Sequence, residues 1–362
     1  MKNNSKRYVL NFLLIIGFTL LVLWFSLKDD YHNMIDQLTG VPWYWLIIIL
    51  CWGLLYNCII GWIYKTFGKK YKSEYSNTEA LENAFIGTFF SGITPSATGG
   101  QFGQVYIMKK QGIKLSDAAS LLWADFIVYQ TTMMIYVTIL FALVFGDVYE
   151  KNAFFLLVFC GYLVNICVIT ALWTMALFPK AFVKLSQWGV LLLCRLHLIK
   201  NKEATLSAWT IQIEAFTSEI KRLKKDKHLI LKTVFINVLR LTMLYSLPYA
   251  VCLAIGEPLP LSLLVTVIAM SSFVTMANTF IPIPGASGGT EWAFVAIFSG
   301  IIDSTLAKSV MILWRFSTYH FVMIVGGLVF VFAKRKYDKQ KYLQEKEEEP
   351  LCEEARRDVF CE

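Results

Sequence analysis

The stretch Pro95–Gly100 reads PSATGG and the stretch Pro284–Gly289 reads PGASGG, so one pattern of proline, small residues and paired glycine occurs twice. The two copies lie about half the chain length apart, and each interrupts an apolar segment. Proline and glycine both break helices. Matched breaks in two apolar segments predict an internal repeat built on two broken or re-entrant helices. In membrane transporters, such pairs mark a substrate site near the middle of the bilayer.

The rest of the sequence is typical of a polytopic membrane protein. Of its 362 residues, 56% are hydrophobic and 15% are aromatic, and the mean hydropathy is +0.54. That composition excludes a soluble globular domain. We expect an all-α polytopic membrane protein with about six full spans plus two re-entrant or broken helices, at Leu81–Tyr106 and Leu259–Ile301. Six apolar runs reach or approach the roughly 20 residues that a spanning helix needs: Tyr8–Leu27, Trp43–Tyr64, Ala118–Phe145, Ala153–Phe178, Leu229–Ile255 and Leu306–Ala333.

The charge distribution predicts how the chain is threaded through the membrane. Cytoplasmic loops of membrane proteins are enriched in Lys and Arg, so both termini are expected in the cytoplasm, with the protein in the plasma membrane. The first broken segment then enters from the cytoplasm and the second from outside, unless the second crosses completely and moves the C-terminus to the other side. Four basic clusters carry this assignment: Lys2–Arg7, Lys65–Lys72, Lys109–Lys114 and Lys334–Lys336.

This threading divides the membrane domain, residues 1–336, into two units of opposite orientation. The units cover about 43–145 and about 229–333, which is the pattern of an inverted-topology repeat. Between them, residues 180–228 carry an apolar stripe followed by lysines, which predicts a cytoplasmic amphipathic helix. That helix either binds anionic lipid headgroups or packs against the bundle or a second subunit of a homodimer. Residues 337–362 are expected to form a disordered, charged cytoplasmic tail.

The two breaks form the candidate substrate site. Irregular backbone is tolerated inside a bilayer only where protein buries it or where it lines a watery cavity. The N-termini of broken helices also attract anions such as phosphate. The alternative is that Gly and Pro serve only close helix packing. The candidate substrate-binding residues at the breaks are Pro95, Ser96, Thr98, Gly99, Gly100, Gln101, Gln104, Pro284, Ser287, Gly288, Gly289, Thr290 and Glu291.

Two ionisable residues inside predicted spans complete the candidate set. Asp125 and Arg315 occupy near-equivalent places in the two units, and charges within membrane spans are usually paired or functional. They could pair across the repeat axis, either for function or as a structural ion pair, or Arg315 could contact a lipid phosphate. Arg240 is a weaker candidate, because its side chain could extend to the cytoplasmic interface.

Other kinds of site are not indicated by the sequence. The four histidines are scattered, the cysteines lie mostly in apolar runs, and neither has the spacing of a metal site, so no metal and no cofactor is expected. The net charge of +8 is concentrated in loops that set orientation, so nucleic-acid binding is not expected. No nucleotide-binding P-loop motif is present, which leaves downhill, ion-coupled or scrambling movement for a transporter.

Thr94–Gln101 and Pro282–Glu291 resemble the signatures of the lysylphosphatidylglycerol synthase transmembrane-region family, also called the flippase-like domain family, and the resemblance covers about residues 8–335. In its bifunctional members, this type of domain moves aminoacylated phosphatidylglycerol across the bilayer, while a separate cytoplasmic domain makes that lipid from lysyl-tRNA. The residues after the last predicted span are too few for that second domain, so a stand-alone membrane domain is expected. The resemblance marks both Pro–Gly-Gly segments, Glu291 and Arg315 as the lipid path.

These features predict a flippase-like membrane transporter whose substrate is an anionic or aminoacylated phospholipid such as lysylphosphatidylglycerol. Two alternatives stay open at this point. One is an enzyme, a phosphatidylglycerol lysyltransferase. The other is a membrane partner that recruits a separate lipid-modifying enzyme through residues 180–228.

Overall fold

The computed structural model describes residues 39–94, 97–151, 155–178, 225–278, 284–286 and 288–359, with isolated positions between 184 and 221. Within these residues the regular structure is helical throughout, and no strand occurs. The helices are α1 (Trp43–Gly68), α2 (Asn77–Ile93), α3 (Gly99–Lys110), α4 (Leu115–Lys151), α5 (Phe155–Leu177), α6 (Lys227–Ile255), α7 (Leu264–Ala277), α8 (Gly289–Phe298), α9 (Ser304–Arg315) and α10 (Val322–Val359).

The all-helical membrane fold agrees with the expectation from sequence. Four helical stretches are long and apolar enough to cross a bilayer: Trp43–Gly68, Leu115–Val144, Lys227–Ile255 and Ser304–Gln340. The last of these joins α9 to α10 through a π-helical turn at Phe316–Phe321. The predicted fourth span corresponds to α5, whereas the predicted first span, Tyr8–Leu27, lies outside the described residues, as does most of the predicted amphipathic helix at 180–228.

The two broken segments are both helical hairpins, and local chemistry fixes where their flanking helices begin. Ser76 caps α2 through a capping box with Glu79, in which each side chain accepts a hydrogen bond from the other residue's backbone N–H. Asp226 caps α6 by accepting from the Leu229 N–H at 3.0 Å. The same helix ends at Gly256, which has a left-handed φ of 93°.

The first hairpin, α2 and α3, begins and ends at the same end of the molecule. Lys72, just before α2, contacts Glu79 at 2.6 Å and the carbonyl oxygen of Gln111, just after α3, at 2.8 Å. The Asn83 side chain donates to the Gln111 side-chain oxygen at 2.7 Å. Because its two ends meet, the first broken segment turns back on itself as a hairpin instead of continuing as one straight helix.

Several basic clusters lie at the end of the molecule where the first hairpin begins and ends. We call it the basic end and define it by Lys70, Lys72, Gln111, Asp226 and Lys336. Lys70 pairs with Asp226 at the start of α6 at 3.2 Å. Lys336 on α10 pairs with Glu82 on α2 at 3.0 Å. Three of the predicted cytoplasmic clusters therefore lie on one side of the molecule.

The second hairpin, α7 and α8, opens at the opposite end. α6 leaves the basic end and its 29 residues extend about 44 Å. The second hairpin follows, and α9, the π turn and α10 then return to the basic end at Lys336. The order of helix, hairpin, helix thus occurs twice in the described chain.

The segment predicted as a disordered tail differs from that expectation. α10 continues to Val359, so residues 337–359 are helical. Lys, Gln and Glu are strong helix formers. At the start of the segment, the Tyr337 hydroxyl donates to Glu82 at 2.6 Å, and Asp338 pairs with Lys110. These contacts attach the beginning of the expected tail to the first hairpin.

Candidate functional site

The tips of the two hairpins meet at a single aromatic side chain, Tyr319, in the π turn. Its hydroxyl donates a hydrogen bond to the carbonyl oxygen of Gly92, at the end of α2, at 2.9 Å. Its ring lies against Gly285 in the second tip, so closely that a Cβ atom at Gly285 would overlap the ring. One side chain therefore touches both of the breaks that the sequence singles out.

The first tip turns sharply between α2 and α3. Ala97 has a left-handed φ of 55°, which is uncommon outside glycine. The Thr94 hydroxyl accepts a hydrogen bond from the Gly99 N–H at 2.8 Å and donates to the Phe90 carbonyl oxygen at 2.7 Å. Thr94 thereby joins the end of α2 to the first turn of α3.

The second tip contains three residues with left-handed backbone. Pro284–Ala286 forms a 3₁₀ turn in which Gly285 and Ala286 have φ values of 60° and 51°. Gly288 follows with φ of 85°, and its N–H donates to Glu291 Oε2 at 2.6 Å. The carboxylate of Glu291 thus occupies the N-terminus of α8, where the helix dipole favours negative charge. The sequence predicted that this N-terminus would be free to attract a substrate anion, and at Gly288 that prediction is wrong.

The same carboxylate forms a buried ion pair. Arg315 Nε donates to Glu291 Oε1 at 3.0 Å, and Arg315 Nη2 donates to the Gly285 carbonyl oxygen. The guanidinium lies over the Tyr319 ring, 4.2 Å from its centre. Glu291 is 1% exposed and Arg315 is 7% exposed. The pair therefore holds the second tip, α8, α9 and the π turn together.

The hypothesis that Asp125 pairs with Arg315 is wrong, since the carboxylate beside Arg315 is Glu291. Asp125 on α4 instead lies in a second polar cluster with the Tyr64 hydroxyl and the charge of Arg240. Arg240 Nε donates to the Tyr56 hydroxyl at 3.1 Å. Arg240 is held within the bundle by these groups rather than extending to the interface.

The remaining candidates separate into buried and exposed groups. Gln104 is buried and donates to the Tyr64 hydroxyl at 2.6 Å. Thr290 is buried and donates to the Ala286 carbonyl oxygen at 3.0 Å. Thr98 and Gln101 are exposed at the start of α3, whereas Gly99 and Gly100 are buried. Pro284 begins the 3₁₀ turn and Gly289 begins α8, while Pro95, Ser96 and Ser287 lie outside the described residues.

Sequence reasoning missed two functional tyrosines, Tyr319 and Tyr64. Tyr319 carried one usable signal, because it lies four residues after Arg315 and so on the same helix face. Tyr64 carried none that separates it from the other tyrosines in the chain.

An apolar groove opens beside the second polar cluster, between α4, α5 and α6. Its cavity volume is about 410 Å³, and its walls include Ile127, Ile135 and Val234. Trp173 on α5 closes one side by donating to the Thr131 hydroxyl at 3.3 Å. Within the described residues, no cluster of three His, Cys, Asp or Glu side chains could hold a metal ion.

Comparison with known proteins places this arrangement in a family. Searches of the curated proteins and of the solved structures returned no match. The family model described as the lysylphosphatidylglycerol synthase TM region matches residues 9–326, which include both hairpins and both polar clusters. The chain therefore belongs to the lysylphosphatidylglycerol synthase transmembrane-region family.

Proposed function

We propose that this protein is a flippase-like transporter that moves an anionic or aminoacylated phospholipid, such as lysylphosphatidylglycerol, across the bilayer. The observation that carries the proposal is the contact of Tyr319 with the tips of both helical hairpins. Family membership supports a lipid-related role in the membrane. Paired discontinuous helices meeting in a membrane protein are the usual construction of a transport site.

In this proposal the two units, about 43–145 and 229–333, form an inverted-topology repeat. Rocking one unit against the other opens the tips to one side and then to the other. The ion pair of Glu291 and Arg315 is a positioning element, because both side chains are buried and satisfy each other. The exposed polar groups of the first tip, Thr98 and Gln101, are the headgroup contacts in this proposal.

The lipid tails need an apolar path beside the polar tips. The groove between α4, α5 and α6 has apolar walls and about 410 Å³ of space. A single acyl chain is an occupant of suitable polarity for such a groove. The lipid would then move with its headgroup near the hairpin tips and a tail against the flank of the bundle.

The proposed location is the plasma membrane, with the basic end in the cytoplasm. Lys65–Lys72, Lys109–Lys114 and Lys334–Lys336 all belong to that end, and the positive-inside rule assigns such loops to the cytoplasm. This orientation places the N- and C-termini in the cytoplasm. A separately encoded lipid-modifying enzyme on that side would supply an aminoacylated substrate.

The test is lipid movement in liposomes that contain only the purified protein. Fluorescent phosphatidylglycerol and fluorescent lysylphosphatidylglycerol are compared in vesicles with and without protein. Thr98→Val and Gln101→Ala should both slow movement, and Gln101→Ala should do so without lowering stability, because its side chain is exposed. Glu74→Gln, an exposed change at the basic end, is the matched control and should move lipid like the unmodified protein.

Each outcome separates the alternatives. Movement that depends on the protein and is slowed by the tip variants supports transport through the hairpin tips. No movement of either lipid rejects the proposal for these substrates. Formation of lysylphosphatidylglycerol when lysyl-tRNA is added would support the lysyltransferase instead.

A further inference from the structure

One partly buried acidic side chain, Asp125, has no role in the proposed lipid path. Asp125, on α4, lies within the second polar cluster. Its Oδ1 atom is buried without a hydrogen-bond partner among the described residues. Burying a charged carboxylate oxygen without a partner costs free energy. Binding a proton removes the charge and most of that cost.

The groups around Asp125 come from several helices. From α1, the Tyr64 hydroxyl faces the carboxyl group, and Tyr56 lies behind it beside Arg240. From α6, Arg240 supplies the positive charge. From α4 itself, the Tyr129 ring lies 4.3 Å from the Arg240 guanidinium. These are the ionisable groups that act on Asp125 in the described part of the chain.

Arg240 does not hold Asp125 in a direct ion pair. Its guanidinium is occupied by the Tyr56 hydroxyl and by the faces of the Tyr56 and Tyr129 rings. This differs from the pair of Arg315 and Glu291, in which both oxygens of the carboxylate accept hydrogen bonds. Compared with Glu291, Asp125 is therefore the carboxyl group whose charge is poorly compensated, because its Oδ1 atom is buried without a partner.

The cluster is connected to the moving parts of the proposed transporter. Tyr64, beside Asp125, accepts a hydrogen bond from Gln104 on α3 at 2.6 Å. α3 is the second arm of the first hairpin and begins at the tip. Arg240 belongs to α6, in the other unit. A change of charge at Asp125 therefore acts on both units.

We propose that Asp125 is a proton-binding site whose loading and release couples lipid movement to a proton gradient. The step forms one O–H bond at Asp125, with the proton taken from water on one side and returned to water on the other. The net charge of Asp125 and Arg240 together changes from zero to plus one and back. The coupling half of this inference rests on the proposed transport function, whereas the proton site itself does not.

The proton site is tested by infrared spectroscopy on the purified full chain during a pH titration. A protonated carboxyl group has a carbonyl stretching band that a carboxylate lacks. We expect one such band to be lost in Asp125→Asn and to change frequency in Asp125→Glu. Glu257→Gln, an exposed change at the opposite end, should leave that band in place. If the bands of Asp125→Asn equal those of the unmodified protein throughout the titration, the site is rejected.

Coupling is tested in liposomes of phosphatidylethanolamine and phosphatidylglycerol that contain the same proteins. An imposed pH gradient should change the initial rate of lipid movement several-fold in the unmodified protein and in Glu257→Gln, but not in Asp125→Asn. A gradient effect that survives in Asp125→Asn, or no gradient effect in the unmodified protein, overturns the coupling. Absence of lipid movement altogether overturns the transport proposal, while the infrared result still decides whether Asp125 binds a proton.

Discussion

Replacing Glu291 with Gln should destabilise the protein far more than the same change at a surface glutamate. Glu291 is 1% exposed and its partner Arg315 is 7% exposed. Removing one member of a buried ion pair leaves the other charge uncompensated and costs about 3–5 kcal/mol. Gln keeps an oxygen that can accept from the Gly288 N–H, so most of the helix cap, worth about 1 kcal/mol, is retained. We expect Glu291→Gln to lower the free energy of unfolding by about 3–5 kcal/mol.

Glu79 provides the matched control, because it is also the glutamate of a capping box. It accepts from the Ser76 N–H at 2.8 Å, as Glu291 accepts from the Gly288 N–H. Its ion-pair partner, Lys72, is 33% exposed on its side chain. Partly exposed pairs contribute about 0.2–1 kcal/mol, so Glu79→Gln should cost about 1 kcal/mol or less.

The assay is reversible unfolding in mixed micelles of a nonionic detergent and dodecyl sulfate, followed by circular dichroism. A double-mutant cycle of Glu291→Gln and Arg315→Gln should give a coupling energy of about 1–3 kcal/mol. Equal losses for Glu291→Gln and Glu79→Gln, or additive losses in the cycle, would refute the reasoning that the pair is buried and mutually dependent.

Three further predictions concern a tip, the basic end and acid stability. Gly285→Ala should lower the free energy of unfolding by about 1–2 kcal/mol because of the left-handed backbone alone. The overlap of the new Cβ with the Tyr319 ring should add to this loss, and lipid movement should slow. Gly146→Ala, the matched control with open space around it, should instead stabilise by roughly 0.5–1 kcal/mol in the same mixed-micelle unfolding assay. Glu82→Gln breaks the contact with Lys336 and should speed amide hydrogen exchange where α10 leaves the bundle. Unchanged exchange would show that this contact does not hold α10 in place. The pKa of Asp226 is lowered by a backbone N–H of α6 and by a neighbouring lysine. The contribution of Asp226 to stability is therefore complete above the unfolded pKa of about 3.9 and is lost as the pH falls through the folded pKa. Asp226→Asn should weaken the acid dependence of stability, measured as the unfolding midpoint against pH.

The hairpins could be predicted from the sequence because their signal is local. The pattern of proline and paired glycine dictates a chain break wherever it occurs, and both breaks appear where Pro95–Gly100 and Pro284–Gly289 predict them, within the part of each stretch that is described. Charge clustering likewise predicted which loops lie on one side. Both arguments depend on short stretches, and neither requires knowledge of which helices are neighbours.

The partners of the buried charges could not be predicted, because contacts between helices are not local. Asp125 and Arg315 occupy near-equivalent places in the two units, but equivalence in a repeat does not bring two residues together. Arg315 meets Glu291 because α8 and α9 are consecutive and pack against each other. Asp125 lies near the charge of Arg240, without a direct ion pair, because α4 packs on α6. The occupation of the Gly288 N–H could not be predicted either, since it depends on the side chain of Glu291 turning back to the start of its own helix.

The π turn at Phe316–Phe321 divides the last membrane helix into two parts, α9 and α10, which contact different hairpins. The part before it, α9, is attached to the second hairpin by the ion pair of Arg315 with Glu291 and by the contact of Trp314 with Phe294. The part after it, α10, is bound to the first hairpin, where Gly326 lies directly against the Phe85 backbone. π turns are rare and occur mostly as single turns inside α-helices, frequently at functional sites, and this one lies at the boundary between the two attachments. Within the described residues, the longest continuous helical stretch, α9 through α10, therefore changes its hydrogen-bonding pattern at the point where the two hairpins touch.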